Sequence, residues 1–433
     1  MKFLKVFFLT TFIAFFILTD LFISQDLPDL IPYRKGILWG YVDKQKQEVI
    51  PFQYHYVEPF QNGIARFMEM NIWGVINTEG KELTPLYDYI NPFNNGIAKV
   101  QMQKKFGYIG ENGVEIVPVK FDDIGHFSEG MVNVVLGDVV QEKHGVYDSN
   151  GKQIVECKYD LIYQFQDGMA VVVLNGKYGF IDKTGNEVIS CQYEFADSFS
   201  DGLAPVMLRG RYGYINKKGE VVIPFNYLEA RKYSEGLAPV AIESGTSAVF
   251  GYVNDKNETI IPFNYFAAFS FKNGLAEVII NEKFGCINKE GKQIVSAIYD
   301  QVFLTDEEFI EVELNGLLGL LDRNGKEIFP TEYSFIGNNS EGLIPVQKNG
   351  RIGFVNISGE KIIPFKYIDA GSFVNGLAPV QVGAKYGYID KEGKTKIQFK
   401  YDQAWSFEGS LAKVKVGDKF GFIDIKGNEY FEE

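Results

Sequence analysis

The chain has 433 residues, a length that by itself suggests about three ordinary domains. An apolar fraction of 46% argues against disorder, and aromatics at 15%, with 37 Phe and 25 Tyr, suit the pleated surface of a sheet. A formal charge of −13, with no run of five or more Lys and Arg, argues against nucleic acid as a partner.

The first residues are unlike the rest. Lys2 and Lys5 precede an apolar run from Val6 to Leu18, which Asp20 ends. A short basic region followed by about a dozen apolar residues is the pattern of an export signal. Residues 1–24 are therefore read as a signal peptide or N-terminal membrane anchor, and 25–35 as a linker. Under the positive-inside tendency the lysines stay cytoplasmic. The remainder is expected to be exported: periplasmic, secreted or anchored at the outer face of the cytoplasmic membrane. Membrane contact is expected only through this segment.

From residue 36 to 433 one pattern repeats. An aromatic-Gly pair recurs as Trp39-Gly40, Trp73-Gly74, Phe106-Gly107, Tyr178-Gly179, Tyr212-Gly213, Phe250-Gly251, Phe284-Gly285, Tyr386-Gly387 and Phe420-Gly421. Weaker copies are His144-Gly145, Leu318-Gly319 and Ile352-Gly353. The glycines are 33 or 34 residues apart, except for two gaps of 38. Such a period marks an array that grows by adding units.

The copy at Tyr212 shows the unit. Tyr212-Gly213-Tyr214-Ile215 alternates as a strand, with Tyr212 and Tyr214 on one face. A glycine inside a strand signals close approach of another backbone or ring. Asn216-Lys217-Lys218-Gly219 is a turn whose polar first residue can bond the backbone. Glu220-Val221-Val222-Ile223 returns, and Pro224 is expected to stop it. The corner Tyr233-Ser234-Glu235-Gly236 leads into Leu237-Ala238-Pro239-Val240, which is expected to pair with the next aromatic-Gly strand.

These chained motifs, the aromatic-Gly strand, the Lys-x-Gly turn, Val-Ile-Pro and Phe-x-x-Gly-Leu-Ala, resemble those of the bacterial WG repeat family. The resemblance covers essentially all of residues 37–433 and implies an all-β array without a general catalytic activity. Two departures stand out. Only two of the twelve pairs keep Trp, and Thr305-Asp306-Glu307-Glu308-Phe309 replaces one corner.

The two long gaps fall at the same hairpin tip, three repeats apart. They hold Gly137 to Glu142 and Glu243 to Ala248. Insertions in arrays map to one face and often to the binding face. Asp138, Val139, Gln141, Gly245, Thr246 and Ser247 are accordingly the candidate binding residues.

Catalytic patterns are thin. His55, His126 and His144 occupy different points of the repeat, without ligand spacing. His144 stands where other copies have a ring. Most aspartates, such as Asp43, Asp148, Asp182 and Asp390, recur at the turn and serve the repeat. Glu307 and Glu308 are the acids that break the pattern. Cys157 and Cys191 occupy equivalent points of adjacent repeats, so a bridge between them stays open; Cys286 reads as core. No catalytic residue, metal ligand or cofactor is assigned.

The expected fold is all-β: about twelve hairpin repeats in an open solenoid or superhelix, with two β-propellers as the alternative. Roughly 34 residues is short for a four-stranded blade, and twelve units exceed the usual four to eight blades. The expected function is a non-enzymatic exported scaffold that binds protein or cell-envelope polymer. The alternative is an envelope polysaccharide hydrolase.

Overall fold

The computed structural model describes residues 26–138, 141–304 and 308–432. The apolar N-terminal run, Val139 and Glu307 lie outside them. Every regular element among the described residues is a β-strand.

The strands form twelve small sheets, numbered here as blades 1 to 12 in chain order. Blade 6 is typical. Strand a is Phe195–Ala196, b is Leu203–Leu208, c is Arg211–Asn216 and d is Val221–Tyr227. They pair antiparallel in sequence order. Each blade therefore combines the corner and Leu-Ala-Pro-Val strand of one repeat with the aromatic-Gly hairpin of the next. Blade 7 confirms the inferred pairing, with Val240 opposite Gly251.

Turn chemistry explains the repeat's punctuation. At the a–b corner, Ser234 and Leu237 exchange backbone hydrogen bonds of 3.0 Å across Glu235 (φ 53°) and Gly236 (φ 89°). Two left-handed residues in a row make a type I′ turn, whose twist matches that of the flanking strands. This is why corners read Asn-Gly, Asp-Gly or Glu-Gly. At the c–d turn, the Asn216 side-chain oxygen accepts from the backbone N–H of Lys218 and of Glu220, both at 3.0 Å.

The strand glycine has a specific cause. Tyr212 pairs with Tyr227 and Tyr214 with Ile223, so strand d bulges by two residues opposite Gly213. A Cβ on Gly213 would lie 2.6 Å from the Ile223 carbonyl oxygen. Gly40, Gly179, Gly251 and Gly387 meet the equivalent carbonyl at 2.5 to 2.8 Å. Pro224 does not end strand d as expected. It sits in the bulge, where a missing N–H costs no ladder bond. Gly74 differs: its close neighbour is the Phe67 ring.

Strand alternation feeds two cores. Tyr214 packs with Ile223, Tyr233 and Val240 toward the following blade, while Ile215 packs with Phe180, Phe199 and Val206 toward the preceding one. Each interface between blades is thus filled by both neighbours.

The array is not open. The C-terminal segment Phe431–Glu432 pairs in parallel with Ile31–Lys35, strand b of blade 1. One core cluster joins Ile31, Trp39, Tyr54 and Phe67 to Leu411, Phe422 and Tyr430. The expected open solenoid is corrected to a single closed ring of twelve propeller blades. Two separate propellers are corrected likewise, since the first blade meets the twelfth. Four strands fit in 34 residues because strand a has only two residues in most blades and the turns are tight. The linker is corrected too: Ile31–Lys35 is a strand of the ring.

Candidate functional site

Blade geometry gives the ring two rims. The a–b corners and c–d turns share one, the corner rim. The b–c tips and d-to-a links share the other, the tip rim.

Consecutive corners are stitched together. The Glu129 carboxylate accepts from the Gly168 N–H of the next corner at 3.0 Å and pairs with Lys183 at 3.0 Å. Asp167 does the same with Gly202 and Lys217, Glu235 with Gly274 and Lys289, and Glu341 with Gly376 and Lys391. Where the corner carries Asn273, Arg323 instead donates to the Asn273 carbonyl at 2.6 Å.

The tip rim has its own stitch. Lys105 pairs with Asp122, Lys143 with Asp160, Lys283 with Asp300 and Lys385 with Asp402, at 2.5 to 2.6 Å. The lysine and a backbone N–H hold each of these carboxyls below the usual aspartate range.

The seam, where blade 12 meets blade 1, is built differently. Among the described residues blade 1 begins with strand b, and Phe431–Glu432 takes the edge where the other blades have strand a. A cavity of about 530 Å³ opens there on the corner rim, between the corners of blades 12, 2 and 3. It is lined by Tyr56, Glu58, Gln61, Asn62, Arg66, Asn95, Trp405, Glu408 and Lys413. A second cavity of about 500 Å³ faces the tip rim and is lined by Ile37, Trp39, His55, Trp73, Tyr89 and Phe420. The two share Tyr56, Glu58, Arg66 and Lys413 as a common wall.

The chain has three tryptophans, and all of them are here. Trp39, Tyr56, Trp73 and Tyr89 follow one another edge-on, with ring centroids 5.4 to 6.1 Å apart. Trp39 is core, at 3% exposure. Trp405 and Tyr89 are 41% and 45% exposed, more than packing alone requires.

The cations of the wall are already engaged. Arg66 holds Glu58 through two bonds of 2.6 and 2.7 Å, donates to the Ile90 carbonyl and lies over Trp73. Lys413 donates to the Tyr56 hydroxyl at 3.0 Å and lies 4.3 Å from the Phe420 ring centre. Burial lowers the Lys413 pKa, against the pull of Glu58 and Glu408.

The residues singled out from the sequence lie elsewhere. Asp138 and Gln141 form the tip of blade 4, where the Gln141 N–H donates to the Asp138 carbonyl at 3.0 Å. Gly245, Thr246 and Ser247 form the exposed tip of blade 7. Both tips stand on the same rim, with blades 5 and 6 between them and away from the seam. Glu308 is exposed. His144 is buried as a ring, opposite Tyr159, with its pKa lowered by burial. Cys157, Cys191 and Cys286 are free thiols whose pKa values burial raises, the last to about 12. No group of three or more metal-ligating side chains occurs among the described residues.

A model of the WG containing repeat matches eleven consecutive segments, from 39–71 through 212–244 to 386–420. The chain belongs to the WG repeat family. No curated protein matches it. Among solved structures, it is similar to a eukaryotic initiation factor at 10% identity, over 78% of this chain and 95% of that one, with a TM-score of 0.39. It is also similar to Hsv2p of Kluyveromyces lactis, at 11% identity over 53% and 90%, with a TM-score of 0.33. The extracellular domain of a putative one component system from B. thetaiotaomicron matches at 10% over 92% and 74%, with a TM-score of 0.23. At these scores the structural likenesses carry no argument.

The seam was missed in the sequence because its residues come from opposite ends of the chain, 357 positions apart for Lys413 and Tyr56. One signal was present: the two aromatic-Gly pairs that keep Trp are the first two, and the one other Trp, Trp405, lies near the other end of the chain.

Proposed function

We propose that this WG repeat protein is a non-enzymatic exported ring that binds a protein or cell-envelope polymer. The observation carrying the reading is the seam. Where the last blade meets the first, a cavity is walled by the exposed Trp405 ring and by polar side chains from three corners. Concave sites with mostly apolar walls and a few placed polar groups are where ligands bind. The basic and apolar residues at the N-terminus support export.

A hydrolase is the second reading, favoured by the carboxylates of Glu58 and Glu408 in one cavity. Glu58 is already held by Arg66, which leaves Glu408 as the acid to test.

The test is photo-crosslinking in cells from probes placed at Gln61 and at Thr246, read by mass spectrometry. A recurring adduct from either probe names the partner. Absence of adducts from both overturns the binding reading. Turnover of an envelope polysaccharide that Glu408→Gln abolishes would establish the hydrolase instead.

A further inference from the structure

We infer that the seam cavity on the corner rim binds a neutral, hydroxyl-rich saccharide unit, stacked on Trp405. This rests on the reading of the protein as a binder and deepens it by naming the ligand class.

Three observations converge. The first is the exposed ring. Trp405 stands at the edge of the cavity at 41% exposure, with its indole against Phe420 at 6.0 Å and the cavity before it. A sugar ring presents a flat face of polarised C–H groups, which suits the negative face of an indole. The position that Trp405 fills, just after strand a, where its carbonyl accepts from a core tyrosine hydroxyl, holds Glu58, Gly125, Arg231 or Phe269 in other blades.

The second is the polar lining. Gln61, Asn62, Asn95 and Glu408 come from three different corners, those of blades 2, 3 and 12, and line the cavity together. Amides and carboxylates are suited to vicinal hydroxyls, which both donate and accept. Asn62 already donates to Glu111 at 3.0 Å, and that bond fixes its orientation.

The third is the charge. An anionic ligand needs a cation to meet it, yet Arg66 is spent on Glu58 and Lys413 on Tyr56 and ring faces. Glu58, Glu111 and Glu408 add negative charge to the lining. The site therefore repels uronates and phosphates and favours a neutral sugar. A volume of about 530 Å³ suits a short stretch of a polymer rather than a protein surface.

The fold supplies its own reporter. All three tryptophans lie at the seam, Trp405 at this cavity and Trp39 and Trp73 at the second, so an emission change that Trp405→Ala removes reads this site. The experiment titrates the full-length protein with chitotetraose and cellotetraose, and with an oligogalacturonate as the anionic contrast, following indole emission and calorimetric heat. A saturable emission change with a neutral tetrasaccharide is expected, with weaker binding of the uronate. Trp405→Ala should weaken binding by roughly tenfold, the scale of one stacking contact. Gln61→Ala and Glu408→Gln should each weaken it severalfold, with unfolding temperatures unchanged.

Saccharide heat without an emission change, and insensitive to Trp405→Ala, overturns the seam site while leaving the binding reading intact. Tighter binding of the uronate overturns the neutral class. If no saccharide binds while Gln61 captures a protein, the saccharide inference falls and the binder stands. If neither occurs, both fall.

Discussion

Gly213 and Gly202 show that one residue type serves two different physical needs in this repeat. Gly202 sits at a corner with φ 81° and open space where a Cβ would be. Its constraint is conformational, and Asn tolerates that region. Gly213 lacks a left-handed φ; its constraint is the bulged carbonyl 2.6 Å from a Cβ. Gly202→Asn is therefore expected to leave the urea midpoint nearly unchanged. Gly213→Asn should lower stability by about 1–3 kcal/mol, the usual cost of overpacking. Equal losses at both sites would show that the bulge yields and that the strand glycine is not sterically required. Tyr214 makes a second point at this scale. Its buried hydroxyl donates to the Arg231 carbonyl at 2.5 Å, and Tyr252 and Tyr388 repeat the bond one blade ahead at 2.8 Å. Tyr214→Phe leaves that carbonyl without its donor and should cost about 1 kcal/mol in calorimetric unfolding.

Between blades, the stitches respond to pH. Folding lowers the pKa values of Asp122, Asp160, Asp300 and Asp402 through their lysines and backbone donors. A group whose folded pKa is depressed stabilises the fold above its unfolded pKa, near 3.9, and ceases to do so as pH falls through the folded value. The pairs are half-exposed, so each contributes little and is screened by salt. Their repetition is what makes the effect measurable. The urea midpoint should be flat near neutrality and fall below about pH 4, and Asp402→Asn should make that fall shallower. A midpoint independent of pH down to 3, on the scale of ~1 unit below the free aspartate value, would show that the stitches are ornamental.

At the scale of the whole ring, closure depends on very little chain. Arg34 is buried at the joint, donating to the Phe420 carbonyl at 2.8 Å and to the Glu432 carbonyl at 3.1 Å, while Tyr33 donates to the Glu432 carboxylate at 2.8 Å. Phe431 and Glu432 stand beside blade 1 where strand a lies in the other blades. Removing residues 429–433 should therefore open the ring. Small-angle scattering should show a larger radius of gyration, and indole emission should shift to the red as the seam tryptophans meet water. Unchanged scattering would mean that the cores of blades 1 and 12 close the ring without this strand.

The local chemistry was legible in the sequence. Period-two alternation around Tyr212, Asx and I′ turn residues, and a glycine awaiting a close neighbour each reflect contacts within one unit or with the next, and every copy repeats them. The family was legible for the same reason. Closure was not, because it depends on the small rotation between successive blades summed over twelve interfaces, which no single repeat encodes. The seam inherits that dependence: Trp39, Tyr56 and Trp405 become neighbours only once the last blade returns to the first. The sequence by itself determined the blade, while the tertiary structure decided how many blades complete a turn and which residues meet where the turn closes.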